Sequence, residues 1–281
     1  MDDLDRRYER LRDAIRATGG AAVAFSSGVD STLVLWAAHE ALGDAAVAYT
    51  ATSPIFPPYE TDEAQAFCRE RGIRQVEVEV DPFSIEGYAD NPPDRCYRCK
   101  RHLFEHLIAA ARADGFAHVL DGTNADDTGA YRPGMRALAE LGVESPLRDA
   151  GLAKADIREL SSRLGLPTAT KPSFACLMTR FQYGDRVDAE RLRMVAEAEL
   201  ALIDEGFRQV RVRFHEGGVA RIELGPGEAS RLLEDGRAAR VDERLRGVGF
   251  SFVTLDLGGY ATGKMNAETE AALLREAGGG A

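Results

Sequence analysis

The sequence predicts an α/β protein, a doubly wound parallel sheet with a second, smaller α+β domain, and three observations predict it. Short apolar runs at 21–25, 45–49, 75–80 and 118–121 alternate with helical patterns, as strands joined by crossover helices do. The first run leads into a small turn, Ser26-Ser27-Gly28, and then a helical stretch that begins at Val29 with Asp30 and Ser31 in its first turn. Beyond Cys176 the alternation gives way to a long helix and a pair of strands. The expected division is 1–180 for the larger domain and 181–281 for the smaller. At 44% hydrophobic, 281 residues can build both cores.

In chain order, residues 1–20 read as an amphipathic helix with Leu4, Tyr8, Leu11 and Ile15 on one face. The run 21–25 is small and apolar throughout, the pattern of a strand buried on both sides. A helix over 60–71 is expected to end at Gly72 as its left-handed terminating residue, and another covers 99–112. A fifth strand near 143–145 and a helix over 154–163 complete the domain. In the second domain a helix at 188–204 precedes strands at 209–214 and 219–224, which read as a hairpin; a helix at 227–235 and a strand at 252–257 follow. No repeats or low-complexity segments occur, and the tail 278–281 is expected to fray.

Composition narrows the function. A net charge of −11 with no basic run argues against a nucleic-acid partner. No charge-free apolar run approaches a membrane span, and the first twenty residues lack the apolar core of a signal peptide. Four Cys in a chain of this length make no disulfide framework, so a reducing cytoplasm is the expected location.

The chemistry concentrates at a few places. Successive N–H groups in the 26–28 turn and the positive end of a helix dipole suit an oxyanion, and the Ser26 and Ser31 hydroxyls add donors. The alternative is a turn that binds nothing. No Lys follows Gly28 as a Walker A loop requires, which disfavours ordinary γ-phosphate transfer. Asp30 would repel phosphate unless Mg²⁺ lay between them. Ligands of doubly wound sheets sit beyond the carboxyl ends of the strands, so this turn, the segment 50–53 that includes Thr52, and the turn after Asp121 should face one crevice, with adenine against 50–53. In the last of these turns Thr123 and Asn124 can contact phosphate, while Asp126 and Asp127 read equally as Mg²⁺ ligands or as caps of a helix. Cys96 and Cys99 are three apart at the start of a helix and share a face. A C-x-x-C alone leaves open a redox pair, a zinc site with His102 one turn further on, and an iron–sulfur site that also uses Cys176. Cys68, on the helix 60–71, reads as core. Arg211 and Arg213 lie on one face of a strand; two guanidiniums there suit a phosphate monoester, or a solvated face paired with Glu199 or Glu223.

The motif S-x-G-V-D-S at 26–31 resembles the SGGxDS pyrophosphate loop of the PP-loop ATP pyrophosphatases, which cleave ATP between the α and β phosphates to adenylate a substrate oxygen. Ser27 stands where that superfamily usually has Gly, and a need for positive φ there would leave Ser modestly strained. FSxGVDST at 25–32, NPPDRCYxCK at 91–100, GTNxDDxxxYRPG at 122–134, KPxxxCLxxR at 171–180, RVRxH at 211–215 and LDLxGYxxGxMN at 255–266 together resemble the LarE family. These are ATP-dependent sulfur transferases that help build the nickel-pincer nucleotide cofactor of lactate racemase. The closing motif departs at Ala261 and Lys264, where Arg or Ser is usual.

The resemblance implies ATP·Mg²⁺ bound at Ser26, Ser27, Gly28, Val29, Asp30, Ser31, Thr52, Thr123 and Asp126, with Asp30 as the Mg²⁺ ligand. It implies a pyridinium-3,5-dicarboxylate mononucleotide as substrate, held at its phosphate by Arg211 and Arg213, with Glu199 and Arg180 positioning substrate or metal. Cys176 matches the sulfur-bearing cysteine, and one branch of the family carries the extra C-x-x-C and a [4Fe–4S] cluster, here on Cys96, Cys99 and Cys176. A homo-oligomer is implied, with the other proteins of that cofactor's biosynthesis as further partners. Three other readings stand beside it. A tRNA thiolation enzyme of the same superfamily should be basic or carry an RNA-binding domain, an amidating synthetase should have an N-terminal glutaminase Cys, and the third is an ATP-binding module with structural zinc.

Overall fold

The computed structural model describes residues 2–129, 133–172, 175–265, 267 and 269. The tail 278–281 and the motif residues Tyr131 and Arg132 lie outside them. The chain forms two compact units, Met1–Ile85 with Asp94–Phe174, and Glu86–Pro93 with Ala175–Ala281.

Small side chains set the centre of the first unit. Strand β1 (Ala21–Ala24) is buried along most of its length and lies between β2 (Ala46–Thr52) and β4 (His118–Leu120), with β3 (Gln75–Glu79) outside β2. All pairs are parallel, so the chain winds outward from β1 in both directions. Ala21, Val23, Ala46 and Ala48 face α1 (Asp3–Arg16), α2 (Val29–Leu42), α3 (Pro58–Arg71) and, later in the chain, Ile157 and Leu160. Ala22, Val47 and Tyr49 face Phe104, Leu107, Ile108 and Ala111 of α4 (Arg95–Ala113) and Leu138 of α5 (Pro133–Glu140). This is the expected doubly wound sheet, covered on both faces.

The expected apolar face of α1 is the one buried, and Asp2 and Asp5 close its start with reciprocal bonds of 2.8 and 2.9 Å. Helix α3 ends at Gly72 with φ of 67°. Cys68 is core, and burial pushes its thiol up to about 12. The expected fifth strand at 143–145 is reduced to one bridge, Leu120 to Glu144. Pro146 explains the truncation: it has no N–H for a ladder and opens α6 (Pro146–Asp149). Helix α7 (Lys154–Arg163) falls where the sequence placed it.

In the second unit, α8 (Ala189–Asp204) is capped by Asp188, whose carboxylate accepts from the Arg191 N–H at 2.8 Å. Strands β5 (Val210–His215) and β6 (Val219–Leu224) form the expected hairpin, turned by Gly217 and Gly218 at φ of 76° and 71°. The expected helix at 227–235 is only α9 (Ala229–Leu232), because Asp235 and Gly236 take positive φ and end it. A further helix, α10 (Arg237–Val248), carries the chain to β7 (Phe252–Leu255), which pairs parallel with β6 and therefore requires a crossover. The segment 86–93 joins this unit through Asn91, which is buried at φ of 49°. Its side chain donates to the Gln182 carbonyl at 2.6 Å, and the Val187 N–H donates to the Ala89 carbonyl at 2.7 Å.

Leu33 of α2 is fully buried against the sheet, whereas Leu233 is exposed. Leu33→Ala should therefore cost about 3–5 kcal/mol in urea unfolding, while Leu233→Ala should change stability by less than about 0.5 kcal/mol.

Candidate functional site

The turn between β1 and α2 is closed by its own hydroxyls. Ser26 and Ser31 Oγ lie 3.1 Å apart, the Ser26 N–H donates to Ser31 Oγ at 3.3 Å, and Thr32 Oγ1 donates to the Gly28 carbonyl at 2.8 Å. Ser27 has φ of 52°, in the left-handed region that Gly occupies most easily. Its Oγ donates to the Glu60 carbonyl of α3 at 3.1 Å, a bond that Gly could not make. Gly28 precedes α2 and brings no side chain to cap it, and Val29 turns its side chain into the core.

The turn after β4 packs directly on the first turn of α2. A Cβ on Gly122 would lie 2.9 Å from the Ser31 backbone nitrogen and 3.2 Å from Asp30 Cβ, so only Gly permits the approach. Thr123 is buried and gives its hydroxyl to Asp121, which also accepts from Ser145 Oγ at 2.7 Å. Asp126 accepts from the Lys154 backbone N–H at 2.8 Å, and Asp127 from the Asn124 N–H at 3.0 Å. The two acids thus cap backbone. Thr52 ends β2, where its carbonyl accepts from the Val80 N–H at 2.9 Å.

Two lysines reach this turn from far along the chain. Lys154 Nζ donates to Asp30 Oδ2 at 2.5 Å, while Asn124 Nδ2 lies 3.4 Å from Asp30 Oδ1. Lys171 Nζ donates to the Ser27 carbonyl at 3.0 Å and to Ser27 Oγ at 3.1 Å, and pairs with Glu63. Arg158 fixes the backbone beneath Lys171, donating to the Ala169 and Lys171 carbonyls at 2.7 and 2.9 Å. The sequence signal for Lys171 was its place at the head of KPxxxCLxxR; nothing marked Lys154 beyond opening a helix.

The donors suit the metals the sequence implied. Asp30 is a hard, half-buried oxygen donor, and Mg²⁺ needs only one or two carboxylates beside phosphate oxygens and water. Cys96 and Cys99 on α4 of the first unit, and Cys176 in the second, are half-buried thiols suited to iron. The four cysteines, all described residues, form no disulfide. Among the described residues no three His, Cys, Asp or Glu side chains are gathered as a metal site, and His102 instead faces Ser84 Oγ at 3.4 Å. No helix among the described residues is long and apolar enough to cross a membrane.

In the second unit four of the expected residues come together. Arg180 and Glu199 form a buried bidentate pair, Nε to Oε1 at 2.7 Å and Nη2 to Oε2 at 2.8 Å, and Glu199 Oε1 also accepts from the Val212 N–H at 2.9 Å. Arg180 Nη1 donates to the carbonyls of Ala175 at 2.9 Å and Cys176 at 3.3 Å, so the backbone of Cys176 rests on this pair. Arg213 is buried, donating to Glu223 Oε2 and to the Thr179 carbonyl, each at 2.8 Å. Arg211 is buried over the Tyr260 ring, 5.1 Å from its centroid. Burial, and then the nearby Arg180, hold the Arg211 guanidinium below its usual range. Burial, with Arg221 next in weight, likewise lowers His215, whose Nε2 accepts from Arg221 Nε at 2.9 Å. Lys264 first, then the Gly258 N–H and Arg221, hold Asp256 down to about 2. The Lys264 ammonium also donates to the Gly259 carbonyl at 2.9 Å, so this departure from the family motif is fully engaged. Among the described residues, Arg180, Arg211, Arg213, Arg221 and Lys264 face Glu199, Glu223 and Asp256 here, an excess of cations that favours an anion.

A pyridinium-3,5-bisthiocarboxylic acid mononucleotide synthase from Lactiplantibacillus plantarum is 38% identical over 267 residues, 95% of this chain and 96% of its own. The chain belongs to the LarE family. An uncharacterised Synechocystis protein is 41% identical over 94% of this chain and 98% of its own. A subunit of the glutamine-hydrolysing GMP synthase from Thermoplasma volcanium is 27% identical over 61% of this chain and 59% of its own, which sets the LarE chain within the PP-loop superfamily. No family model matches it. LarE proteins are ATP-dependent sulfur transferases, and the α/β sheet described above is the superfamily's fold.

The close approach at Gly122 is directly testable. Gly122→Ala should destabilise the protein by about 1–3 kcal/mol, read from the urea midpoint, because the methyl group meets backbone rather than a side chain that could swing away.

Proposed function

We propose that this chain converts the carboxylates of a pyridinium-3,5-dicarboxylate mononucleotide to thiocarboxylates, using ATP. The observation that carries the reading is the strand, the Ser26-Ser27-Gly28 turn and the uncapped start of α2, next to Asp30, in a chain whose relative bears that product's name. A substrate carboxylate oxygen attacks the α-phosphorus, the bond to the bridging α–β oxygen breaks, and pyrophosphate leaves toward the N–H groups of the turn. Asp30 would hold Mg²⁺, which neutralises phosphate charge. Asp126 and Thr123 act by shaping the crevice, and adenine would rest against Thr52.

Arg211 and Arg213 bind the substrate phosphate, drawn by the cation excess around them. Arg180 and Glu199 act indirectly, fixing the backbone on which Cys176 is mounted and the strand that carries the two arginines. The Cys176 thiolate attacks the acyl carbon of the adenylate, AMP departs, and a thioester remains. Without another sulfur source, loss of the Cys176 Cα proton to a base forms the Cα=Cβ double bond as the Cβ–S bond breaks, so that the sulfur leaves as thiocarboxylate and dehydroalanine remains. A [4Fe–4S] cluster on Cys96, Cys99 and Cys176 would supply a renewable sulfur site and keep Cys176 intact. The division of labour, nucleotide in 1–180 and substrate in 181–281, belongs to the same reading, as do a homo-oligomer and a cytoplasmic setting. A net charge of −11 weighs against a tRNA substrate.

Substrate-dependent ATP consumption should yield AMP and pyrophosphate by chromatography, and Asp30→Asn should abolish it; ADP as product would overturn the assignment. Anaerobically purified protein should carry about four irons per chain, lost on Cys96→Ala, Cys99→Ala or Cys176→Ala and retained on Cys68→Ala. Stoichiometric zinc that depends on His102 would establish the zinc module instead.

A further inference from the structure

We propose that Lys171 is the phosphate-binding cation of the pyrophosphate loop, positioned by Ser27 and kept on Glu63 until the β- and γ-phosphates take the carboxylate's place; this rests on the ATP reading above. The sequence lacks a Walker lysine, yet pyrophosphate leaves with more negative charge than it carried as part of ATP. A cation within reach of the loop meets that need. The Lys171 ammonium is bonded to the loop itself, at both the carbonyl and the hydroxyl of Ser27.

Its partners differ in how easily they are exchanged. The Lys171 side chain is 14% exposed and its backbone is clamped by Arg158, whereas the Glu63 side chain is 52% exposed. A solvated carboxylate leaves at little cost, while the bonds to Ser27 hold the ammonium in place. The contact with Glu63 is thus the one open to exchange, and an ammonium donor can pass there from carboxylate to phosphate. Lys154 is less suited, because its ion partner Asp30 is half-buried at the start of α2 and is itself the candidate Mg²⁺ ligand. The departure at Ser27 thereby acquires a role. The superfamily's Gly would make the left-handed turn more easily and keep the carbonyl bond to Lys171, but the hydroxyl that Gly lacks adds a second bond to Lys171 and ties the turn to α3.

The test is calorimetric titration of the full-length protein with inorganic pyrophosphate and, separately, with AMP. Lys171→Met should weaken pyrophosphate roughly tenfold or more and leave AMP unchanged, with Lys171→Arg restoring much of the loss. Ser27→Gly should weaken pyrophosphate roughly threefold. Glu63→Gln should tighten it a few-fold, and that gain should vanish in the Lys171→Met, Glu63→Gln double variant. A lysine that merely braces the fold predicts no tightening by Glu63→Gln, or equal losses for pyrophosphate and AMP in Lys171→Met; either result overturns the proposal. Should Lys171→Met fail to fold, Glu63→Gln alone decides, since binding unchanged or weakened by it is incompatible with a stored cation. Wild-type protein that binds neither pyrophosphate nor AMP would instead overturn the ATP reading on which the proposal rests.

Discussion

The contact between Gly122 and the backbone of Ser31 is the constraint on which the first unit's site depends. It brings the turn after β4 against the first turn of α2, and the small residues of β1 allow this at the centre of the sheet. Once the two turns touch, Asn124 comes within reach of Asp30, and the Asp126 cap draws in the start of α7 with Lys154. Asp126 and Asp127 each accept from a backbone N–H group, which stiffens the turn. The charge environment of Asp30 is therefore set by backbone packing.

The second unit places charge where most proteins place apolar side chains. Arg180, Glu199, Arg213 and Glu223 are almost wholly buried, and a buried ion pair contributes little net stability against a well-packed apolar replacement. What it supplies is position. Glu199 fixes strand β5 through the Val212 N–H, and Arg180 fixes the chain at Ala175 and Cys176. One charged contact thus sets both the strand with the two arginines and the backbone of the cysteine.

Much of this was legible in the sequence. Strict periodicity gave α1 and its buried face, alternation gave the four parallel strands and the β5–β6 hairpin, and the glycine after Arg71 gave the end of α3. Helix α10 was hidden because only Val241 and Leu245 bury side chains in a segment rich in Arg, Asp and Glu. The strand at 143–145 was overread because its apolar signal is cut by Pro146. Local motif reading placed the Ser26–Ser31 turn, but it could not place Lys154 and Lys171. They reach the loop across 124 and 144 residues of chain, a distance only the tertiary fold closes.

The excursion at 86–93 bears on the order in which the protein is made. Asn91 emerges from the ribosome 91 residues before Gln182, the residue whose carbonyl its side chain will meet. At about 5–20 residues per second, this left-handed, buried position waits roughly five to twenty seconds for its partner while the helices and last strand of the first unit are synthesised around the gap. The chain crosses between units three times, so the first unit can close while carrying an unfinished piece of the second. A truncation after Phe174 would leave that piece permanently without a partner.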